Sequence, residues 1–255
     1  MASESSSSVL ASSFTDLMTS LAVIFILLLV AITQNTVMAS AAKNQKTKKT
    51  RESILEELQK QFSKTGVNVK KDPNDPLSLL IVVPEQLMRF TVDGTDLSQN
   101  GQQFLDEFIP SLAHVACSQR FRDELNSIVV EGHADSSGKN PEHKDIHNME
   151  VSQGRAMSVV QTSLLILKEK GTESKTAYPC FLNLLSATGR GSSDPILLED
   201  GKEDLDRSRR VVFKIRVRSF EQREVQTSEA ALNTLQPPGS HGLSGDSNGN
   251  QPSKH

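Results

Sequence analysis

One carboxyl group has a placement that calls for chemistry. Asp16 stands at the head of the run Leu17-Met18-Thr19-Ser20-Leu21-Ala22-Val23-Ile24-Phe25-Ile26-Leu27-Leu28-Leu29-Val30-Ala31-Ile32, which carries no charge. At about 1.5 Å per residue this run is roughly 24 Å long, short of the roughly 30 Å of bilayer hydrocarbon. A span must therefore draw in its flanks, and residues 14–38 as the span place Asp16 inside the membrane. An ionised carboxylate there costs about 2.5–3.5 kcal/mol on insertion scales, so it should face protein or a water path. The chemistry open to it is the uptake and release of an ion. A second reading stays open, in which Asp16 marks a helix N-terminus, where the dipole and the headgroups tolerate an acid.

The elements that must position this group follow from length and pattern. A chain of 255 residues has room for one span and one domain of ordinary size. The formal net charge of -3 gives no argument for nucleic acid, and with 4% aromatics and no Trp there is no aromatic belt to place the span. A signal peptide competes for the first 40 residues. It would need a basic start, yet no Lys or Arg occurs in the first 16, and the apolar run is longer than an ordinary signal core. Ala39-Ser40-Ala41 could still pass as a cleavage site.

Residues 39–76 read as a connector. Its first part is Lys-rich; Ile54, Leu55, Leu58 and Phe62 then recur at helical spacing, giving a short amphipathic helix ending near Gly66. Asp72-Pro73-Asn74-Asp75-Pro76 is a turn cluster. Residues 77–83 predict a buried strand, and Phe104, Phe108, Leu112 and Val115 a helix that Pro110 could kink. Residues 127–133 predict a second strand, 134–147 a polar loop, and 149–170 a helix stopped by Gly171. Residues 181–188 predict a third strand, Gly189-Arg190-Gly191 a turn, and 210–217 a last strand with Val211, Phe213, Ile215 and Val217 on one face. The order βαβαββ predicts a two-layer α/β sandwich behind a single N-terminal transmembrane helix. From Ser219 the apolar content falls, and Pro237-Pro238-Gly239 with the Ser/Gly/Asn-rich end predicts a disordered tail over residues 219–255.

Phe14-Thr15-Asp16-Leu17-Met18-Thr19-Ser20-Leu21 and the run behind it resemble the single transmembrane helix of MotB-type stator subunits, in which an aspartate before a Met-Thr pair carries the ion. That resemblance implies Asp16 as ion carrier, most simply for protons. It also implies a homodimer of this chain within a ring of MotA-like (ZorA-like) membrane subunits, and residues 39–76 as a plug or a plain tether. The short Ser-rich start, the compact connector and the wording Thr-Asp-Leu-Met-Thr-Ser-Leu-Ala-Val-Ile-Phe look more like the ZorB-type stators of Zorya anti-phage defence than like flagellar ones.

A second constellation lies in the domain. Gly132-His133-Ala134-Asp135, then Asn148-Met149-Glu150-Val151-Ser152-Gln153-Gly154-Arg155-Ala156, then Gly189-Arg190-Gly191 and Arg209-Arg210-Val211 resemble the OmpA-like peptidoglycan-binding domain over residues 77–218. The resemblance implies that Asp135 and Arg155 grip the zwitterionic end of diaminopimelate in the peptide stem, with Asn148 and Arg209 in support. The residue types suit this: a fixed carboxylate takes an ammonium, and a guanidinium fork takes a carboxylate through two hydrogen bonds. The chain departs from the pattern in a longer loop before Asn148, in Val151 for Leu, in Ser208 where Asn precedes the Arg pair, and in Thr91 where many members have Asp.

Compartment signals conflict. Lys43, Lys46, Lys48, Lys49 and Arg51 follow the span and none precedes it, which by the positive-inside rule puts the C-terminal part in the cytoplasm. The peptidoglycan resemblance puts it in the periplasm, with the N-terminus cytoplasmic and the span in the inner membrane, and the domain is given precedence. Cys117 and Cys180 read equally as one disulfide or as two small core residues. His133, His143 and His147 lack a metal-ligand spacing. No P-loop, nucleophile elbow, dinucleotide fingerprint or zinc spacing occurs, so an enzyme and a cofactor are not expected. Apart from the motor, a passive wall-bound anchor that moves no ions is the competing function.

Overall fold

The computed structural model describes residues 4–91, 94–137, 142–170 and 177–235. One helix, α1 (Glu4–Phe62), carries both the apolar run and the connector. No Gly or Pro occurs between residue 4 and Gly66, so nothing in the Lys-rich stretch interrupts the backbone hydrogen bonds. The expected separate short helix is thus a correction: it is the last turns of α1. By length and composition α1 is able to cross a membrane. It stops where the Thr65 amide donates to the Phe62 carbonyl and Gly66 takes φ 76°, a left-handed step that glycine makes without strain.

The sheet has five strands in the order β1-β2-β5-β3-β4: β1 (Asn68–Lys71), β2 (Ser78–Pro84), β3 (Leu125–His133), β4 (Leu185–Gly189) and β5 (Arg210–Val217). The central strand β5 runs antiparallel to both β2 and β3, while β3 and β4 are parallel. Helices α2 (Gln99–Ala116) and α3 (Lys144–Glu169) cover one face, with Phe108 of α2 5.1 Å from Phe213 of β5 between ring centroids. Register stacks the core in rows across the sheet. Leu79, Ile215 and Ile128 form one row and Ile81, Phe213 and Val130 the next, all buried. The C-terminal stripe of α1, formed by Ile54, Leu58 and Phe62, is buried in the same core, with Phe62 4.7 Å from Phe108. The domain therefore begins within α1, and the stripe expected to serve a plug or tether is core.

Other elements also differ from expectation. β1 is an extra edge strand, hard to foresee because only Val69 of its four residues is buried. Residues 181–184 belong to a helix, α4 (Ala177–Leu184), and only Leu185–Gly189 is strand. Phe181 and Leu184 are three apart and both buried, a helical spacing that a short apolar run conceals. Pro110 lies inside α2 without ending it. A four-residue α5 (Leu205–Ser208) precedes β5. Within the segment expected to be a disordered tail, residues 220–235 form α6 (Phe220–Leu235), which from Glu221 on belongs to a second unit. Gly171, part of the 134–147 loop and Pro237-Pro238-Gly239 lie outside the described residues.

Cys117 at the end of α2 and Cys180 in α4 are joined by a disulfide, with Cα atoms 6.0 Å apart. It closes a segment that contains β3 and α3.

Candidate functional site

Strand direction builds the site. Because β5 is antiparallel to both neighbours, its first residue lies beside the last residues of β2 and β3, and the register pairs Arg210 with Pro84 on one side and with His133 on the other. The residues just beyond these ends, Glu85, Arg209 and Asp135, consequently converge although far apart in sequence. Arg209 donates from Nε to Glu85 Oε2 at 2.6 Å, from one terminal nitrogen to Asp135 Oδ2, and from the other to Asp206. The first of these bonds, with Glu85, raises the guanidinium's pKa above its ordinary value, burial opposes the rise, and the bond to Asp135 adds to it.

Asp135 is buried, its side chain 6% exposed. Oδ1 accepts from the Ser137 amide at 2.8 Å and the Ser137 hydroxyl at 2.6 Å, and Oδ2 accepts from Arg209. Burial alone would raise its pKa; the Ser137 hydroxyl, Arg209 and the Ser137 amide outweigh burial and hold the carboxyl below the usual range. It is thus an anion at neutral pH, held in a fixed orientation.

Two glycines admit α3 to this place. The apolar rows of the sheet end in Val83, Val211, Gly132 and Gly189. A Cβ on Gly132 would stand 2.1 Å from the Ser152 carbonyl oxygen, and one on Gly189 2.7 Å from the Gln153 amide nitrogen. The start of α3 therefore lies directly on β3 and β4. The Ser152 hydroxyl accepts from the Gly191 amide at 2.9 Å, and Asn148 Nδ2 donates to the Asp135 carbonyl at 3.0 Å. Asp135, Asn148 and Arg209 are in this way brought together.

Arg155 is held elsewhere. It is seven residues from Asn148, on the same stripe of α3 and about 10 Å further along the axis. Its Nε donates to the Gly94 carbonyl at 3.1 Å, and its guanidinium lies 5.0 Å from the centre of the Phe90 ring, a cation–π contact. Phe90 and Gly94 belong to the loop between β2 and α2, which starts at Glu85. One loop thus touches both the Arg209 cluster and Arg155. Sequence reasoning missed Glu85, Asp206, Phe90, Gly94 and Ser137; the available signal for Glu85 was an acid directly after an apolar strand.

Under the site, His133 is buried, and among the described residues neither ring nitrogen has a hydrogen-bond partner. Glu131 is 3.7 Å from Nε2 and Asp194 3.8 Å from Nδ1. Arg210, also buried, bonds Asp194 at 2.7 Å. Burial lowers the pKa of His133 from its ordinary 6.5, against the raising effect of Glu131. His143 and His147 are exposed, and among the described residues no three His, Cys, Asp or Glu side chains form a metal-binding group. Ser208, where Asn was the expected residue, is buried and its hydroxyl accepts from the Ile196 amide at 2.9 Å.

At the far end of the chain, Asp16 lies in the apolar part of α1. The hydroxyls of Thr19 and Ser20 donate to its backbone carbonyl at 2.9 and 2.8 Å, so these polar side chains are satisfied within the helix. The axial distance from Asp16 to Ile54, the first of the core residues of α1, is about 57 Å.

No family model matches the chain. Zorya protein ZorB of Escherichia coli is 32% identical over 129 residues, which cover 49% of this chain and 52% of that protein. The chain is similar to ZorB over that stretch. It spans about half the length of that curated relative in the match. Among solved structures, a MotB-like protein of Desulfovibrio vulgaris is similar at TM-score 0.49 and 21% identity, covering 69% of this chain and 96% of that one. The periplasmic domain of Helicobacter pylori MotB is similar at TM-score 0.42 and 18% identity, covering 68% and 94%. The cell wall anchor of the T6SS from Pseudomonas aeruginosa is similar at 0.41 and 17%, covering 65% and 97%.

Proposed function

We propose that this chain is the ion-carrying, wall-anchored stator subunit of a membrane rotary motor in an anti-phage defence system of the Zorya type. Homology to ZorB supports the assignment, and the observation that carries it is the single unbroken helix joining an acid in an apolar span to the core of a domain with a ligand-type charge cluster. Asp16 takes a proton from one side and releases it to the other; one charge crossing about 100 mV yields roughly 2.3 kcal/mol. Two copies of the chain sit in a ring of MotA-like (ZorA-like) subunits, which turns against them. The role is binding and ion transport, without catalysis.

The domain holds the chain still by gripping peptidoglycan. Asp135 receives the ammonium and Arg155 the carboxylate of a diaminopimelate end, Asn148 fixes the Asp135 loop, and Arg209 orients the Asp135 carboxylate. The grip places the domain in the periplasm and the N-terminus in the cytoplasm, with α1 in the inner membrane. The Cys117–Cys180 disulfide favours that orientation, because such bonds persist in oxidising compartments. It weighs against the basic residues that follow the span.

Cells that express the chain with its ring partner and carry Asp16→Asn or the pair Asp135→Ala and Arg155→Ala test the proposal. Both variants should lose phage protection, and only the second should lose retention on sacculi. Full protection by Asp16→Asn would leave a passive anchor. A flagellar-type motor is the reading to adopt if the chain supports motility and not protection.

A further inference from the structure

We propose that Glu85 is a specificity-determining residue of the peptidoglycan site, a second carboxylate that works beside Asp135 to receive the ammonium end of the ligand. This rests on the wall-binding reading above. Glu85 and Asp135 are fixed on one guanidinium, because the end of β2 and the end of β3 both abut the start of β5. Three carboxylates share that single cation, so the cluster as a whole stays negative, and Asp206, at 72% exposure, is the most strongly screened of the three. Among the described residues no second cation pairs with Glu85 or Asp135.

The two acids differ in what they still offer. Asp135 has one oxygen on two Ser137 donors and the other on Arg209, and it is nearly enclosed. Glu85 uses only Oε2, for Arg209, and is 29% exposed. Its other oxygen makes no hydrogen bond among the described residues, leaving a charged acceptor open toward solvent. An ammonium docking at this end has three protons to satisfy, and Asp135 alone cannot meet that demand. Glu85 also opens the loop that holds Arg155 through Gly94 and Phe90, so the acid and the distant guanidinium are spaced by one continuous segment.

The test is binding of the full chain in detergent to a soluble stem peptide ending in diaminopimelate, with the side-chain amine free or acetylated. Glu85→Gln keeps the size and an oxygen for Arg209 but removes the charge. We expect the free-amine peptide to bind about five- to tenfold more weakly, the scale of one partly exposed charge-assisted contact, and the acetylated peptide to bind as it does to the unaltered chain. The ratio of the two affinities is read on folded protein only, so a loss of folded material does not mimic the effect. An equal loss for both peptides makes Glu85 a packing residue and overturns the proposal. No loss with Glu85→Gln while Asp135→Ala abolishes binding also overturns it and leaves the wall-binding reading intact. Unchanged binding by Asp135→Ala and Arg155→Ala overturns that underlying reading.

Discussion

Replacing Phe62 by Ala tests whether the membrane helix is an integral part of the domain. Phe62 is 2% exposed, at the end of α1, and its ring centre lies 4.7 Å from that of Phe108, which packs in turn on Phe213 at 5.1 Å in the middle of the sheet. Truncating a buried Phe to Ala costs about 3–5 kcal/mol through lost transfer energy and the cavity left behind. For a domain of 150–250 residues each kcal/mol moves the melting temperature by about 2–4 °C, so the drop should be about 6–20 °C. Glu56→Ala, six residues earlier on the exposed face of the same helix, should change stability by less than about 0.5 kcal/mol. Thermal unfolding of the detergent-solubilised chain, followed by near-UV circular dichroism, reads both. If the two variants melt together, the end of α1 is a detachable tether and its inclusion in the core is refuted.

Two further outcomes follow from the buried groups. His133 is held below its ordinary pKa of 6.5, so as pH falls through 6.5 the unfolded chain takes up a proton that the folded one refuses, and stability declines. Asp72, Asp75 and Asp135 are held below 3.8, so their contribution is complete above that value and is lost only at lower pH. Melting temperature should therefore drop between pH 7 and pH 5, and His133→Gln should flatten that drop; an unchanged slope would contradict the assignment. The Cys117–Cys180 bridge spans 63 residues, for which loop-closure entropy gives about 4 kcal/mol. Cys117→Ser with Cys180→Ser should then melt about 8–16 °C lower, and equal melting would show that the bridge contributes nothing to stability.

Much of the fold was legible because β2, β3 and β5 announce themselves as apolar runs, and the register that stacks Ile81, Phe213 and Val130 needs only their alternation. The Gly-His-Ala-Asp stretch was legible for a reason that the geometry now supplies: Gly132 leaves room for the Ser152 carbonyl, and the chain continues from there to Asp135. What escaped notice depends on tertiary contact. Glu85 carries only the weak signal of an acid directly after an apolar strand, and it joins the site through the antiparallel placement of β5. Phe90 and Gly94 meet Arg155 across a loop whose sequence reads as surface. The unbroken α1 is legible in the lack of any Gly or Pro between residue 4 and Gly66; the change from apolar to Lys-rich residues is one of composition, which does not by itself end a helix. In α4, burial of Phe181 and Leu184 on one side outweighed a composition that also suits a strand.

Proton flux tests the central claim most directly. The chain is reconstituted with the MotA-like ring subunit proposed as its partner in liposomes that enclose a pH-sensitive dye, and a potassium gradient with valinomycin sets the membrane potential. Unaltered protein should change the internal pH at a rate that follows the potential, and Asp16→Asn should reduce that rate to the level of empty liposomes while the complex still assembles. Equal flux from the two would contradict the claim that this carboxyl carries the ion.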